Sequence, residues 1–279
     1  MNNIKIVKAF GEKELFSEQK LRRSLSRSGV DEDVITSVVE EVVSHLRDGM
    51  HTKEIYKQAF DLLKQYSAPH AARYRLKHAI NNLGPSGFPF ELYIAALFKY
   101  EGYDVQTGVI AEGHCVKHEI DVIAQKEKFH FLIECKFHNS QGIHSDIKIP
   151  LYIQSRFIDV TAKWKLLPAH ESKIHQAWLV TNTRFTEDAI TYGNCMGITL
   201  ISWNYPAGKS LRDWVNKSGL HPLTCLTTLT GHEKQYLLEQ KNVLCKDIIN
   251  NPLILNGAGI KNQSRIDRVL NEAKQVCLL

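Results

Sequence analysis

The sequence predicts a multidomain protein with a mostly α-helical N-terminal segment, a central α/β segment and an α-helical C-terminal segment. The first segment reads as a short strand pair followed by helices, whose apolar residues recur at three- and four-residue spacing. From Phe88 onward, helix and strand patterns alternate, which is typical of a layered α/β structure. After Gly219 only helix and turn patterns follow. We therefore expect three domains, at residues 1–84, 88–216 and 219–279.

Composition indicates a globular protein with enough apolar residues to form hydrophobic cores. The chain has 279 residues, of which 43% are hydrophobic and 23% charged. It contains no apolar run long enough to cross a membrane and no signal-type N-terminal stretch, so we expect a cytoplasmic protein with no membrane contact. The six cysteines are scattered without a CxxC pair, which favours free thiols in a reducing compartment. A net charge of +5 permits nucleic-acid binding without requiring it.

The N-terminal elements follow from turn and cap residues. The segment IKIVKAF predicts a strand, and Gly11 permits the turn after it. The first helix is expected to end at Gly29, because glycine adopts the left-handed backbone conformation at little energetic cost. Four helices are expected to begin at Ser17, Asp31, Thr52 and near Pro69.

The central elements form an alternating series bounded by the turn-forming sequence NLGPSG. A helix over FPFELYIAALFKYEG is followed by strands near YDVQTGVIA, HEIDVIAQ and FHFLIECKF. A long helix around PLYIQSRFIDVTAKW then precedes a strand QAWLVTNT, a helix EDAITYGNCMG and a strand ITLISW. The C-terminal segment ends in the amphipathic helix SRIDRVLNEAKQV.

Three charged residues lie inside these apolar strands. Side chains alternate along FHFLIECKF, so Glu134 and Lys136 point away from a face that we expect to form core. That core face comprises Phe129, Phe131, Ile133, Cys135 and Phe137. Asp121 is central in the preceding strand, and a hairpin would bring it beside Glu134. The helix before these strands carries a further acid, Glu91.

Buried charges are costly unless they are paired or bound to metal, and metal-assisted phosphodiester hydrolysis is one explanation for this set. Asp121 and Glu134 would bind Mg²⁺ or Mn²⁺ through hard oxygen ligands, together with the backbone carbonyl of Cys135. Lys136 would orient or deprotonate the bound water, and Glu91 would ligate directly or through water. The alternative is that Glu134 and Lys136 form a solvated ion pair on an exposed edge strand.

The pattern from Glu91 through HEIDVIA to LIECK resembles the core of PD-(D/E)XK nucleases, in particular the Mrr-type restriction endonucleases. The resemblance covers residues from Phe88 to Trp203. It implies a restriction-endonuclease-like fold, Asp121 and Glu134 as metal ligands, Lys136 as the catalytic lysine and Glu91 as the helix acid. It also implies a catalytic glutamine in the following helix, for which Gln154 is the candidate. HEID replaces the glycine-rich G-x-D turn typical of that family.

A zinc site is a second interpretation of the same region. His114, Cys115, His118, Cys135 and His138 have a C-x-x-H…C-x-x-H spacing that resembles structural zinc sites. Strand alternation opposes this interpretation, since Cys135 and His138 would lie on opposite faces.

The N-terminal segment resembles the ATP-cone, an allosteric nucleotide-binding domain of ribonucleotide reductases and of their repressor. The matching sequences are IVKAFGEKELFSEQKL, HTKEI and AARYRLK. The resemblance implies ATP or dATP as an allosteric ligand. The implied nucleotide-binding residues are Val7, Lys8, Gly11, Lys20, Thr52 and Arg73, with Tyr74 beside Arg73 on the closing helix. The family usually has K-R-D-G where this chain has Lys8-Ala9-Phe10-Gly11, which removes an arginine contact to phosphate.

The C-terminal sequence NGAGIK before a basic helix resembles a helix-hairpin-helix, whose glycine turn donates backbone N–H groups to DNA phosphate. Lys261 and Arg265 are the candidate DNA contacts. A helical packing domain without a role in DNA binding is the alternative.

Together these features predict a metal-dependent DNA endonuclease regulated by ATP or dATP. Its expected partners are DNA and a nucleoside triphosphate. By analogy with the subunit contacts of reductase cones, we also expect a nucleotide-dependent homo-oligomer. The alternative function is a non-catalytic, nucleotide-responsive DNA-binding regulator that uses the nuclease fold as a platform.

Overall fold

The computed structural model describes residues 4–8, 11–140 and 142–278. The chain divides into two compact units, and the first is discontinuous in sequence. The first unit combines the residues up to Ala79 with those from His221 onward, and the second unit spans Ile80–Leu220. None of the helices in the described ranges is both long and apolar enough to cross a membrane.

The first unit begins with a two-stranded antiparallel hairpin, β1 (Lys5–Val7) and β2 (Lys13–Leu15). Gly11 turns the chain with a φ of +82°, and its N–H donates to the carbonyl of Lys8 at 3.0 Å. The predicted strand continued over Ala9 and Phe10, which lie outside the described residues.

Five helices follow the hairpin: α1 (Glu18–Ser26), α2 (Glu32–Ser44), α3 (Thr52–Tyr66), α4 (Ala68–Tyr74) and α5 (Leu76–Asn81). The predicted start of α1 is confirmed, since the hydroxyl of Ser17 accepts the Lys20 N–H at 3.3 Å. Gly29 ends this region with a φ of +81°. The cap predicted at Thr52 was wrong by one residue: His51 holds the N-cap position and Thr52 is the first helical residue.

The C-terminal helices complete the first unit. They are α10 (Gly231–Glu239), α11 (Cys245–Asn250), α12 (Ile254–Gly257) and α13 (Gln263–Leu278). The long helix α13 packs against α11 and against α4. The C-terminal segment thus shares a compact unit with the N-terminal helices.

The second unit is built on a five-stranded sheet. Its strands are β3 (Asp104–Glu112), β4 (Lys117–Lys126), β5 (Phe129–Lys136), β7 (Ile174–Thr181) and β9 (Thr199–Ile201), in that spatial order. The first three strands are antiparallel, and β5, β7 and β9 run parallel. A separate parallel pair consists of β6 (His144–Ser145) and β8 (Arg184–Phe185).

Four helices belong to this unit: α6 (Phe88–Tyr100), α7 (Lys148–Trp164), α8 (Glu187–Cys195) and α9 (Leu211–Ser218). The helices α7 and α8 provide the crossovers that connect the parallel strands, as such pairs require. The predicted order of helices and strands in this segment is confirmed.

Both faces of the central strand β5 are covered. On one face Phe131 lies 5.0 Å from the ring of Trp178, and Phe98 of α6 packs edge-on against Trp178 and Trp214. On the other face Leu132 packs in a cluster with Trp164 of α7. The predicted core face is buried at Phe131, Ile133 and Cys135, whereas Phe129 at the strand start is 38% exposed.

A buried carboxylate ties α13 to the loop before α10. Glu272 is 4% exposed, and its oxygens accept four hydrogen bonds of 2.6 to 2.9 Å from the backbone N–H and hydroxyl groups of Thr227 and Thr228. We expect Glu272→Ala to destabilise the first unit by about 3 kcal/mol, because it leaves these donors unsatisfied. Urea unfolding followed by circular dichroism measures the effect.

The matched control is Glu40→Ala, which removes an exposed glutamate from α2 of the same unit. Equal unfolding midpoints for the two variants would contradict the role assigned to Glu272.

Candidate active site

The register of β4 and β5 brings Asp121 and Glu134 together. Val122 pairs with Ile133, so Asp121 and Glu134 are the next residues on their strands. A carboxylate oxygen of Asp121 accepts the backbone N–H of Cys135 at 2.7 Å, which fixes its position against β5. Since β5 is the middle strand of the sheet, the alternative of an ion pair on an exposed edge strand was wrong.

Glu91 approaches these carboxylates from the first turn of α6. Its N–H donates to the carbonyl of Gly87 at 3.1 Å, and its side chain is half-buried. Burial, and then the negative charges of Asp121, Glu119 and Glu134, raise the pKa of Glu91 to about 7. The three acids Glu91, Asp121 and Glu134 therefore form one electrostatically connected group, here called the carboxylate cluster.

The cluster concentrates negative charge where little water reaches it. Burial, and then the charge of Asp121, raise the pKa of Glu134 to about 7, although Arg156 and Lys136 act in the opposite direction. Burial also raises the pKa of Asp121. A site whose carboxyls resist ionisation favours an added cation, because a cation stabilises their charged forms.

Arg156, which the sequence analysis missed, is the cation nearest to this charge. It lies on α7 and forms an ion pair with Glu134. Its guanidinium also donates to the hydroxyl of Tyr152 at 2.8 Å and lies 4.7 Å from the centre of that ring. Only the tertiary packing of α7 on the sheet reveals this pairing, because Glu134 and Arg156 are 22 residues apart in sequence.

Gln154, the predicted glutamine of α7, lies two residues before Arg156. Its side-chain oxygen is buried, and it has no hydrogen-bond partner within the described residues. A buried carbonyl oxygen without a hydrogen-bond partner is rare. The oxygen of Gln154 could therefore accept a hydrogen bond from a bound ligand or coordinate an ion.

A second missed residue, Asn182, fixes the chain just beyond Lys136. Its buried side chain accepts the N–H of His138 and donates to the carbonyl of His138, both at 2.9 Å. Its amide also donates to Asn81 at 2.9 Å. Because Lys136 pairs with Thr181 in the sheet, these bonds secure the ends of both strands.

The residues present fit a hard divalent cation. Asp121 and Glu134 offer carboxylate oxygens side by side, and such oxygens are the preferred ligands of Mg²⁺. Among the described residues, Glu91 does not join Asp121 and Glu134 in a three-ligand metal group. The strand register thus brings two carboxylates, those of Asp121 and Glu134, to neighbouring positions.

The five residues of the alternative zinc site do not converge in the described part of the chain. His118 pairs with Asp159 at 2.8 Å, and His138 lies 2.9 Å from the hydroxyl of Ser145. Cys135 is buried in the sheet, and burial raises the pKa of its thiol.

In the first unit, Lys8 and Lys20 converge on one carboxylate. Their ammonium groups lie 2.9 and 3.3 Å from the same oxygen of Glu14. Hydrogen bonding from Lys8, with a further contribution from Lys20, lowers the pKa of Glu14. Two cations held at one point form an arrangement that a phosphate group can also bridge.

The other residues predicted to bind nucleotide lie on the hairpin and on α3 and α4. Val7 bridges to His51, directly before Thr52 at the start of α3, and its N–H donates to Met50 at 3.0 Å. Arg73 lies on α4, where it donates to a ring nitrogen of His221 at 3.3 Å. The neighbouring Tyr74 stacks on Tyr56 with ring centres 5.0 Å apart.

The candidate DNA contacts of the C-terminal helices differ in their surroundings. Lys261 is exposed after Gly259, which turns with a φ of +84°. Arg265 forms an ion pair with Glu233 at 2.7 Å. The guanidinium of Arg265 therefore already stabilises the packing of α10 against α13.

Three family models match successive parts of the chain. The model of the ATP cone domain matches residues 4–79, that of a restriction endonuclease domain matches 84–205, and that of the AF1548-like C-terminal domain matches 221–277. The resemblances to an ATP-cone and to a restriction endonuclease, inferred from the sequence, are thereby confirmed.

A sequence comparison and a structure comparison extend this result. An uncharacterized protein of Archaeoglobus fulgidus is 33% identical over 157 residues, which cover 56% of this chain and 84% of that protein. The crystal structure of AF1548, a protein of unknown function, is similar with a TM-score of 0.56 and 30% identity. That similarity covers 69% of this chain and 98% of AF1548.

The raised pKa of Glu91 predicts a pH-dependent stability in the absence of divalent metal. Between its ordinary pKa of 4.5 and about 7, the folded state binds more protons at Glu91 than the unfolded state. The free energy of unfolding should therefore fall as the pH rises through this range, and Glu91→Gln should lose this contribution. Urea unfolding in EDTA at about pH 5 and about pH 8 measures it.

The exposed residue Glu187 of α8 provides the control, as Glu187→Gln should leave the pH dependence unchanged. If the stability of Glu91→Gln varied with pH as steeply as that of the wild type, the assignment would be wrong.

Proposed function

This chain belongs to the AF1548-like family, and we propose that it acts as a metal-dependent DNA endonuclease regulated by ATP or dATP. The restriction endonuclease and ATP cone domains support nuclease activity and nucleotide binding at the level of the family. One observation of this chain carries the proposal: Asp121 and Glu134 lie side by side on buried strands, with Lys136 two residues beyond Glu134.

Each residue of the site has a role in phosphodiester hydrolysis. Asp121 and Glu134 would hold Mg²⁺ or Mn²⁺, together with the backbone carbonyl of Cys135. The ion, when bound, would lower the pKa of a coordinated water and stabilise the charge that develops on the phosphate. Lys136 would orient the attacking water by donating a hydrogen bond, and Glu91 would hold a second water.

Arg156 and Gln154 complete the site on the α7 side. Arg156 is the counter-ion of Glu134, and its guanidinium would become available to the DNA phosphate if a cation took its place there. Gln154 would offer its buried, unpartnered side-chain oxygen to a hydrogen-bond donor in the site.

The cone regulates the nuclease through nucleotide bound at Lys8 and Lys20. The triphosphate replaces Glu14 as their partner, with Val7, Gly11 and Thr52 around it. Arg73 takes part from α4. A nucleotide that binds two states unequally shifts the equilibrium between them, and we infer that one of these states is a homo-oligomer.

We infer a cytoplasmic setting for the protein. All six cysteines are free thiols, which supports a reducing cytoplasm. The exposed Lys261 contributes to DNA binding by contacting phosphate. Arg265 contributes only if its ion pair with Glu233 is broken.

The non-catalytic regulator is the second candidate, and one observation favours it. Glu134 is already paired with Arg156, so this carboxylate has a counter-ion without a metal. In that case the chain would bind DNA in response to nucleotide and would not cut it.

A cleavage assay separates the two functions. Supercoiled and modified plasmid DNA is incubated with the full chain and Mg²⁺ or Mn²⁺, with and without ATP and dATP. We expect nicking or linearisation, and we expect Glu134→Gln to reduce its rate at least ~100-fold, because a lost metal ligand removes several kcal/mol of transition-state stabilisation.

Glu187→Gln is the matched control in the same unit and should cut like the wild type. DNA binding that responds to nucleotide, without cleavage under any of these conditions, would establish the regulator instead.

The cone is tested by calorimetric titration of the full chain with ATP and dATP. We expect Lys8→Ala to weaken binding roughly tenfold, since a charged hydrogen bond contributes about 1.5 kcal/mol or more. Lys13→Ala, an exposed lysine on the other strand of the hairpin, should bind as the wild type does. Equal affinity for Lys8→Ala and the wild type would place the nucleotide elsewhere.

A further inference from the structure

Three histidines converge at the end of the sheet where β5 and β7 begin. His130 and His175 are the second residues of these parallel strands and pair directly with each other. His170 ends the short 3₁₀ turn Pro168–His170 that leads into β7. One ring nitrogen of each lies within 4.8 Å of the others, and we call this group the histidine trio.

The rings of the trio are held by aromatic packing. The indole of Trp164, at the end of α7, stacks on His170 with centres 4.7 Å apart and planes inclined by 22°. It also contacts His130 at 4.8 Å and His175 at 5.1 Å. Packing of this kind fixes the orientation of the imidazoles before a ligand arrives.

Two nitrogens of the trio are buried without a hydrogen-bond partner among the described residues. They are Nδ1 of His170 and Nε2 of His175. Buried polar atoms are almost always satisfied, so Nδ1 of His170 calls for a ligand that the protein itself does not supply. Nε2 of His175 is the other nitrogen of a ring whose Nδ1 already contacts His130.

The distances suit a metal ion with imidazole ligands. The Nδ1 atoms of His130 and His175 lie 3.1 Å apart. Zinc bonds imidazole nitrogen at about 2.0–2.1 Å, so two ligands of a tetrahedral site lie about 3.4 Å apart. The separation of the His130 and His175 nitrogens is thus close to that of two zinc ligands, and a ring nitrogen of His170 lies within 4.8 Å of them.

The protonation state of these imidazoles is also the one that a metal requires. Burial is the main cause that lowers the pKa of His130 to about 3 and that of His175 to about 4. Neutral imidazole offers a lone pair, whereas imidazolium does not.

A cavity of about 460 Å³ adjoins the trio. Its lining includes His130, His170, Trp164, Lys163 and Lys173, and it contains none of the carboxylate cluster. A ligand bound there would thus be separate from the candidate nuclease site.

We propose that His130, His170 and His175 bind one zinc ion, or a similar divalent transition ion, with the fourth coordination position facing this cavity. The chemistry of the trio favours such an ion over Mg²⁺, which prefers oxygen ligands. Three protein ligands and an open position are the arrangement of zinc sites that accept water or a small ligand.

Lys173 is the neighbouring charge that opposes a cation. Its ammonium donates to the side-chain oxygen of Gln125 at 2.9 Å and lies close enough to lower the pKa values of all three histidines. Removing this charge should therefore strengthen metal binding.

Titration of the metal-free, untagged full chain with Co²⁺ tests the proposal. A nitrogen-rich tetrahedral site gives an intense visible absorption, whereas an octahedral site of carboxylates and water gives a weak one. We expect one equivalent of Co²⁺ to produce the intense band and to quench Trp164 fluorescence. Equimolar Zn²⁺ should then displace the cobalt.

The variants separate this site from the others. His170→Ala should weaken binding at least ~100-fold and Lys173→Gln should strengthen it, while exposed His114→Ala should bind as the wild type does. The double variant Asp121→Asn/Glu134→Gln should keep the intense band, because the carboxylate cluster takes no part. The metal-free melting temperature of each variant shows whether it folds.

Two results would overturn the proposal. One is the absence of an intense band at equimolar Co²⁺, which would leave the trio as aromatic packing around Trp164. The other is a band that persists in folded His170→Ala or disappears in the double carboxylate variant. If His170→Ala does not fold, His175→Gln replaces it with a residue that retains a hydrogen-bonding side chain.

Discussion

The second unit depends on placing negative charge inside its sheet. Asp121 and Glu134 lie on adjacent buried strands, where desolvation raises the pKa values of both and the charge of Asp121 raises that of Glu134 further. The sheet accommodates them because the N–H of Cys135 donates to Asp121 and Arg156 pairs with Glu134. The packing of α7 across this face thus contributes electrostatically as well as through apolar contacts, because it places Arg156 beside Glu134.

Local sequence patterns predicted those parts of the site that lie on single elements. Alternation along β5 placed Glu134 and Lys136 on one face, and the short connection to β4 predicted the partner Asp121. The helical acid Glu91 followed from its position before the strands. The placement of Asp121 and Glu134 on adjacent strands agrees with the structure because strand alternation and hairpin pairing are determined over a few residues.

The parts that sequence did not predict are tertiary. Arg156 reaches Glu134 only through the packing angle of α7, and Asn182 reaches His138 only because β5 and β7 are neighbours. Likewise, periodicity within α13 showed an apolar stripe but could not identify α4 as one of its partners. The cap at Thr52 was misplaced because His51, which bridges to Val7, takes the N-cap position.

The discontinuity of the first unit has a consequence for synthesis. As the chain leaves the ribosome, residues 80–220 are complete before His221 is made, so the second unit can fold while the first still lacks α10 to α13. Until then α4 exposes the surface that α13 will cover. A nascent chain that stalled or was clipped after Leu220 would therefore carry a finished sheet beside an unfinished helical core.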